Sequence, residues 1–509
     1  MTAKRGRYPG HYTLAFSRAF PFLGWFEKDK MSSCLTEYYG CPDGYERLGW
    51  DEGVTAHKGY FRFGEGSTCY GGNGGESLSS DPDQPLHDAL ADVSVRDGII
   101  HLPFSPAEVA GNFYREAYVE NWRSGPHSLT SMLYYLLRPV LPVGVRRHLQ
   151  KFYLRNWEKI SFPHWPVDCS VDNMFEQLML LTLKAAGVER IPFIWFWPEG
   201  HSGCAIMTHD VETEMGCDLC PALMDVDDAY GIKASFQIVP EERYGVTPEF
   251  LASICRRGFE VAVHDLNHDG HLYKSRKQFL ERAAKINSYG QQFNTRGFRA
   301  GVLYRKQIWY DALDFAYDMS VPNVARLDPQ RGGCCTVMPF FLGHILEIPV
   351  TAIQDYTLFH ILHDYSIDIW KKQIDIILKK HGLMSFIVHP DYSMTPKELA
   401  VYRQLLAYLA QMREDRGAWT STPAEVNRWW RQRAAMRLVE TREGWTIEGE
   451  GSERARLAWA CEEDGHLVLT PDDSTEQQSQ AMKGEVGALL RRTNQSAGTQ
   501  PGSLASLGW

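Results

Sequence analysis

Between residues 203 and about 430, short apolar runs alternate with longer stretches of helical periodicity. CAIMT (204–208), KASFQIV (233–239), FEVAVH (259–264), the residues before Arg299, EIPVT (347–351) and MSFIVH (384–389) have the length and β-branched or aromatic content of buried strands. Between them, 225–230, 247–257, 274–290, 308–317, 368–381 and 396–414 read as helices. Repeated alternation of this kind predicts a parallel α/β sheet or barrel, with its active site at the strands' C-terminal ends. Upstream, VSVRDGIIHL (93–102) sets two short apolar arms around Asp97-Gly98, a hairpin signal. Ser105, Pro106 and Glu108 then occupy the N-cap, first and third positions of a helix expected to reach about Trp122. A further helix over 172–186 precedes the apolar run 191–197, and LAWACEEDGHLVLT (457–470) repeats the Asp-Gly hairpin pattern.

These patterns divide the chain into a low-order, Gly-rich segment (1–90), an N-terminal α/β extension (91–202), a barrel (203–432), a small β unit (433–471) and a polar, disordered tail (472–509). A length of 509 residues suits one large domain with additions at both ends, and an apolar share of 44% is ample for a core. The net charge of -10 and pI near 6.0 argue against a nucleic-acid-binding protein. The N-terminus lacks an apolar h-region, and the stretch 132–143 is short and broken by Arg138, Pro139 and Pro142. A cytoplasmic chain without signal peptide or membrane span is expected. The segment 128–160 carries Arg138, Arg146, Arg147, Lys151, Arg155 and Lys159 among apolar residues, a pattern able to rest on an anionic membrane or polyanion. Two helices sharing a solvated basic face account for it more simply.

Eleven scattered cysteines suit reduced thiols. Cys217 and Cys220 have metal or redox spacing but no partner pair, since Cys334 and Cys335 are adjacent.

Four expected strand ends carry chemistry. Asp210 and Glu212 follow the first strand; residues two apart in an extended segment point the same way, so both carboxylates can face one cavity. His264 and His268 follow the third, Arg299 ends the fourth and His389 the last. Two histidines and one carboxylate are a common catalytic zinc set, which leaves the other acid and the lone histidine for proton transfer.

In order and spacing, these segments resemble the polysaccharide deacetylase family, also called the NodB-homology or carbohydrate esterase family 4 domain, over about 203–390. Thr208-His209-Asp210-Val211-Glu212 resembles its first motif and His264-x-x-x-His268 its second. Gly297-Phe298-Arg299 resembles the third, Asp318-Met319-Ser320 the fourth and Phe386-Ile387-Val388-His389 the fifth. Val211 stands where the common first motif has its metal-binding Asp; in an Asp-x-Glu form, Glu212 takes that place. The resemblance implies a distorted (β/α) barrel that hydrolyses an N-acetyl or O-acetyl group on a sugar or polysaccharide. Glu212, His264 and His268 would hold one divalent ion, zinc by ligand type. Asp210 would act as base and His389 as acid, Arg299 would orient Asp210, and Asp318 would tune His389. Trp195, Trp197, Tyr304 and Tyr392 could stack on a sugar, although core packing suits each of them better. Two alternatives remain: a hydrolase of the same fold acting on small linear or cyclic amides, and a non-catalytic carbohydrate-binding relative, which Val211 favours.

Overall fold

The strand Cys204–Val211, buried along its whole length, is the spine of the main sheet. In the computed structural model, which describes residues 34–50, 57–74, 78–119 and 162–472, this strand pairs in parallel with Leu383–Ile387 along one edge. Its other edge is shared by Trp419–Ser421 at the N-terminal half and Ser235–Ile238 at the C-terminal half, both parallel. Beyond Ser235–Ile238 the sheet continues, still parallel, through Glu260–His264, Gly297–Arg299, Tyr317–Asp318 and Ile345–Glu347, and ends on antiparallel Phe340–Leu342. It curls into a half-barrel, a distorted (β/α) barrel. The open side is bridged where Val350 N donates to Val321 O (3.0 Å) and Ala352 N to Ser385 O (3.1 Å).

Parallel strands are covered on both faces, which is why they read as apolar runs in the sequence. The helices between them begin where a side-chain oxygen satisfies an otherwise orphaned backbone N–H: Thr213 for Glu214–Asp228, Thr247 for Pro248–Arg256 and Ser275 for Arg276–Gln292.

Several elements depart from the sequence pattern for physical reasons. The helix expected over 225–230 begins eleven residues earlier, at Glu214, and carries Pro221 in its interior; such a proline reads as a breaker in sequence. The helix after Ser105 stops at Tyr114, where Glu116 turns left-handed (φ 53°) and its carboxylate is captured by Arg305, Gln307 and Gly333 N. In place of the helix expected over 308–317 there is a 3₁₀ segment, Gln307–Ala312, followed by the strand Tyr317–Asp318. The strand expected over 347–351 ends at Glu347. Both Asp-Gly hairpins form, with Asp97 and Asp464 left-handed as such turns require.

The ends of the described chain pack on this scaffold. In the segment expected to have little order, Cys34–Tyr39 is helical and Gly59–Arg62 pairs with Thr68–Gly71, burying Tyr39, Phe61 and Phe63. The hairpin Leu457–Glu463/His466–Pro471 adds its first strand antiparallel to Arg190–Ile194, making a three-stranded sheet with the strand that precedes the barrel. The basic segment 128–160 and the tail beyond Asp472 lie outside the described residues. Among the described residues, no helix is long and apolar enough to cross a membrane.

Candidate active site

Parallel pairing puts the C-terminal ends of the strands at one rim, and the register aligns Arg299 with His264. Asp210, His264 and Arg299 lie on strand ends there, while Glu212 and His389 lie one and two residues beyond theirs. All are buried or half-buried.

Arg299 is fully buried between the two halves of the site. Its Nη1 donates to Asp210 Oδ1 at 2.5 Å and to Thr208 Oγ1 at 2.8 Å, and its Nε donates to Met319 O. Burial alone would raise the Asp210 carboxyl, but the Arg299, His264 and His389 charges hold it below the usual carboxylate range. Asp210 Oδ2 is 3.7 Å from His264 Nε2.

Glu212 Oε1 lies 3.6 Å from His264 Nε2, 2.9 Å from His268 Nε2 and 3.5 Å from His389 Nε2. Burial pushes the Glu212 carboxyl up, yet the three facing imidazoles bring it well below its ordinary value. Glu212 in turn raises His268 against the effect of burial. His264 Nδ1 donates to Arg299 O at 3.2 Å, which turns Nε2 towards Asp210 and Glu212. His264 Nε2 and His268 Nε2 are both buried without a directed hydrogen-bond partner.

That pair of orphaned nitrogens is what a metal site presents when only its protein ligands are considered. Glu212, His264 and His268 offer ligand atoms all within 4.8 Å of one another. Ligand atoms bonded tetrahedrally at ~2.0–2.1 Å sit about 3.3 Å apart, close to the separations found here. Among the described residues the other such grouping, Asp210, Glu212 and His389, shares Glu212, and neither includes a cysteine. Cys220 is buried with its thiol bonded to Gly216 O, and burial lifts the Cys217 thiol to about 11.

His389 is held by Asp355. Its Nδ1 is 2.7 Å from Asp355 Oδ1, and Asp355 Oδ2 accepts from His389 N (2.7 Å) and Ser393 Oγ (2.9 Å). Burial would depress the imidazole, but Asp355 and Glu212 raise it well above its usual value. Asp318, expected in the role of Asp355, lies five strands from Leu383–Ile387 in sheet order and interacts with Ser320, Glu347 and Tyr310 instead. The separation follows from topology, because the chain from Ile345–Glu347 crosses the open side and delivers Asp355 next to the last strand. The sequence offers little signal for Asp355, which stands in a connection rather than at a strand end.

Of the aromatic candidates, Trp195 and Trp197 are buried and donate to His201 O and His381 O, as core residues do. Tyr304 and Tyr392 are half-buried, and the Tyr392 ring lies 4.7 Å from that of His389.

No protein-family model matches the sequence, and no curated protein matches it. Among solved structures the chain is similar to a "putative polysaccharide deacetylase" from Mycobacterium smegmatis, at 18% identity and TM-score 0.39 over 49% of this chain and 97% of that one. It is also similar to Puue allantoinase, at 13% identity and TM-score 0.37 over 46% and 92%. A probable polysaccharide deacetylase from Pseudomonas aeruginosa PAO1 follows at 12% identity and TM-score 0.37, again over 46% and 92%.

Proposed function

We propose that this chain is a metal-dependent deacetylase that removes an acetyl group from a sugar or polysaccharide by hydrolysis. The observation that carries the reading is the convergence of the buried Nε2 atoms of His264 and His268 on Glu212, with a restrained acid and a restrained histidine on either side.

Glu212, His264 and His268 fit one divalent ion, and nitrogen and oxygen ligands in this ratio suit zinc. When bound, the ion would polarise the acyl carbonyl and make water more acidic. Asp210, ionised and fixed by Arg299, is placed to accept the proton of the attacking water through Oδ2, the oxygen that Arg299 leaves open. His389 keeps a proton because Asp355 lies behind its Nδ1, and its Nε2 faces the cavity to hand a proton to the departing nitrogen. Val211 does not cripple the arrangement, since Glu212 supplies the carboxylate that faces the imidazoles.

The test is metal content together with product release. Purified protein should hold about one divalent ion per chain, and His264→Ala and His268→Ala should both lose it. Acetate should be released from N-acetylated glycans in preference to small cyclic or linear amides. Full metal occupancy in both variants would sink the site, and turnover of small amides alone would move the assignment to that substrate class.

A further inference from the structure

In the deacetylase reading, on which this inference rests, the nitrogen that His389 protonates is attached to the sugar. The sugar ring must then lie against what flanks His389, and on one side of it the flanking groups are aromatic. Tyr392 lies 4.7 Å from the His389 ring, tilted by 36°. His360 meets Tyr392 nearly edge-on, at 5.0 Å and 85°. Tyr356 completes a triangle, 5.8 Å from Tyr392 and 5.3 Å from His360. All three residues are half-buried, so each still presents surface to solvent.

The same carboxylate that restrains His389 also places these rings. Asp355 caps the π-helical segment Tyr356–Leu362, its Oδ1 accepting from Tyr356 N at 2.7 Å. Tyr356 and His360 stand four residues apart, about one turn of that wide helix, and so share a face. π-helical turns are rare and occur frequently at functional sites. A pyranose has an apolar C–H face that suits a ring surface and hydroxyls that suit the polar edges of tyrosine and histidine. A lipid tail would need no such edges.

We propose that Tyr356, His360 and Tyr392 form a sugar-binding wall beside His389 that receives the ring bearing the acylated nitrogen. Tyr356 and His360 thereby set the preference for carbohydrate over simple amides.

Calorimetric titration of the full chain with a β-1,4-linked trisaccharide of N-acetylglucosamine tests this directly, without recourse to turnover. Tyr356→Ala and His360→Ala should each weaken binding about five- to tenfold, the range of a lost aromatic contact. Tyr356→Phe, which keeps the ring but loses the hydroxyl, should bind less tightly than the parent and more tightly than Tyr356→Ala. Thermal melting identifies any variant that fails to fold, and His360→Gln carries the test if an alanine variant does. Unchanged affinity in folded variants overturns the wall, as does a parent that binds no saccharide. Affinity that follows the length of an N-acyl chain and ignores the sugar overturns it as well, in favour of an acyl-binding surface. Acetate release by the parent is scored separately. If saccharide binding responds as expected while no acetate is released, the hydrolytic reading fails and the wall stands.

Discussion

Three ionisable side chains at the rim, Asp210, His264 and His389, are each held by a partner behind them that leaves one atom facing the other site residues. Arg299 takes one oxygen of Asp210, the Arg299 carbonyl takes Nδ1 of His264, and Asp355 takes Nδ1 of His389. This fixes orientation and protonation together, which proton transfer at a preset geometry requires. Asp355→Asn is the sharpest single change, because it removes the charge behind Nδ1 and leaves one acceptor oxygen where two now serve His389. Amide hydrolysis should fall ~100- to 10,000-fold, the usual worth of general acid assistance. An activated aryl acetate, whose leaving group needs little protonation, should suffer much less. Equal losses on both substrates, measured as kcat on folded protein, would make Asp355 a structural anchor alone. Asp210, Glu212, His264 and His389 were legible as candidates because each sits at or just beyond the end of an apolar run, and His268 by its spacing from His264. Asp355 was not, because its role depends on where a connection crosses the barrel, and no local pattern encodes that.

At the scale of elements, the site depends on how closely two loops approach. His268 reaches the cavity from an irregular loop in which Asp265 and His268 are both left-handed (φ 57° and 53°), and the turn Gly301–Leu303 packs against it. A Cβ on Gly301 would lie 2.5 Å from Asp265 Oδ2 and 2.9 Å from His268 Cδ2, so one of the loops must move. Gly301→Ala should therefore lose about 1–3 kcal/mol of stability, as overpacking does, and should weaken metal affinity as well. Gly245→Ala, with nothing within 4 Å of the added carbon, serves as the neutral control in denaturation and metal titration. Equal behaviour of the two variants would show that the loop is soft and that His268 is not pinned there. The strands Cys204–Val211, Ser235–Ile238, Glu260–His264, Gly297–Arg299 and Leu383–Ile387 and the Asp-Gly hairpins were readable from period and turn chemistry, whereas the short strands Tyr317–Asp318, Phe340–Leu342 and Trp419–Ser421 were not. The π-helix Tyr356–Leu362 and the 3₁₀ segment Gln307–Ala312 were not, since tertiary contacts select both over an ordinary helix.

Across the whole molecule, single polar residues tie remote parts of the chain to the barrel. The Arg433 guanidinium donates to the carbonyls of Tyr38, Tyr39, Ile194 and Trp195, joining the N-terminal helix, the outer sheet and the last barrel helix. Asp172, at the start of Ser170–Ala186, accepts from Tyr38 Oη (2.8 Å), Thr336 Oγ1 (2.7 Å) and Val337 N (3.1 Å). Its partners Tyr38 and Thr336 are 134 and 164 residues away, beyond the reach of any local pattern. Burial pushes the Asp172 carboxyl up to about 6, outweighing the three hydrogen bonds and the Lys380 charge that favour its ionised form. An aspartate in the unfolded chain titrates near ~3.9. The folded protein therefore holds an extra proton between about pH 4 and pH 6, and this group's contribution to stability falls as pH rises through that window. The loss amounts to at most about 3 kcal/mol by neutral pH. Asp172→Asn has no proton to lose, so its stability should lack that decline, whatever fixed offset the amide introduces. Urea unfolding of parent and variant at about pH 4 and pH 7 reads the difference. The parent should lose stability relative to the variant on going to the higher pH. A gap that stays constant between the two would mean that Asp172 is ionised throughout, and that its hydrogen bonds outweigh its burial.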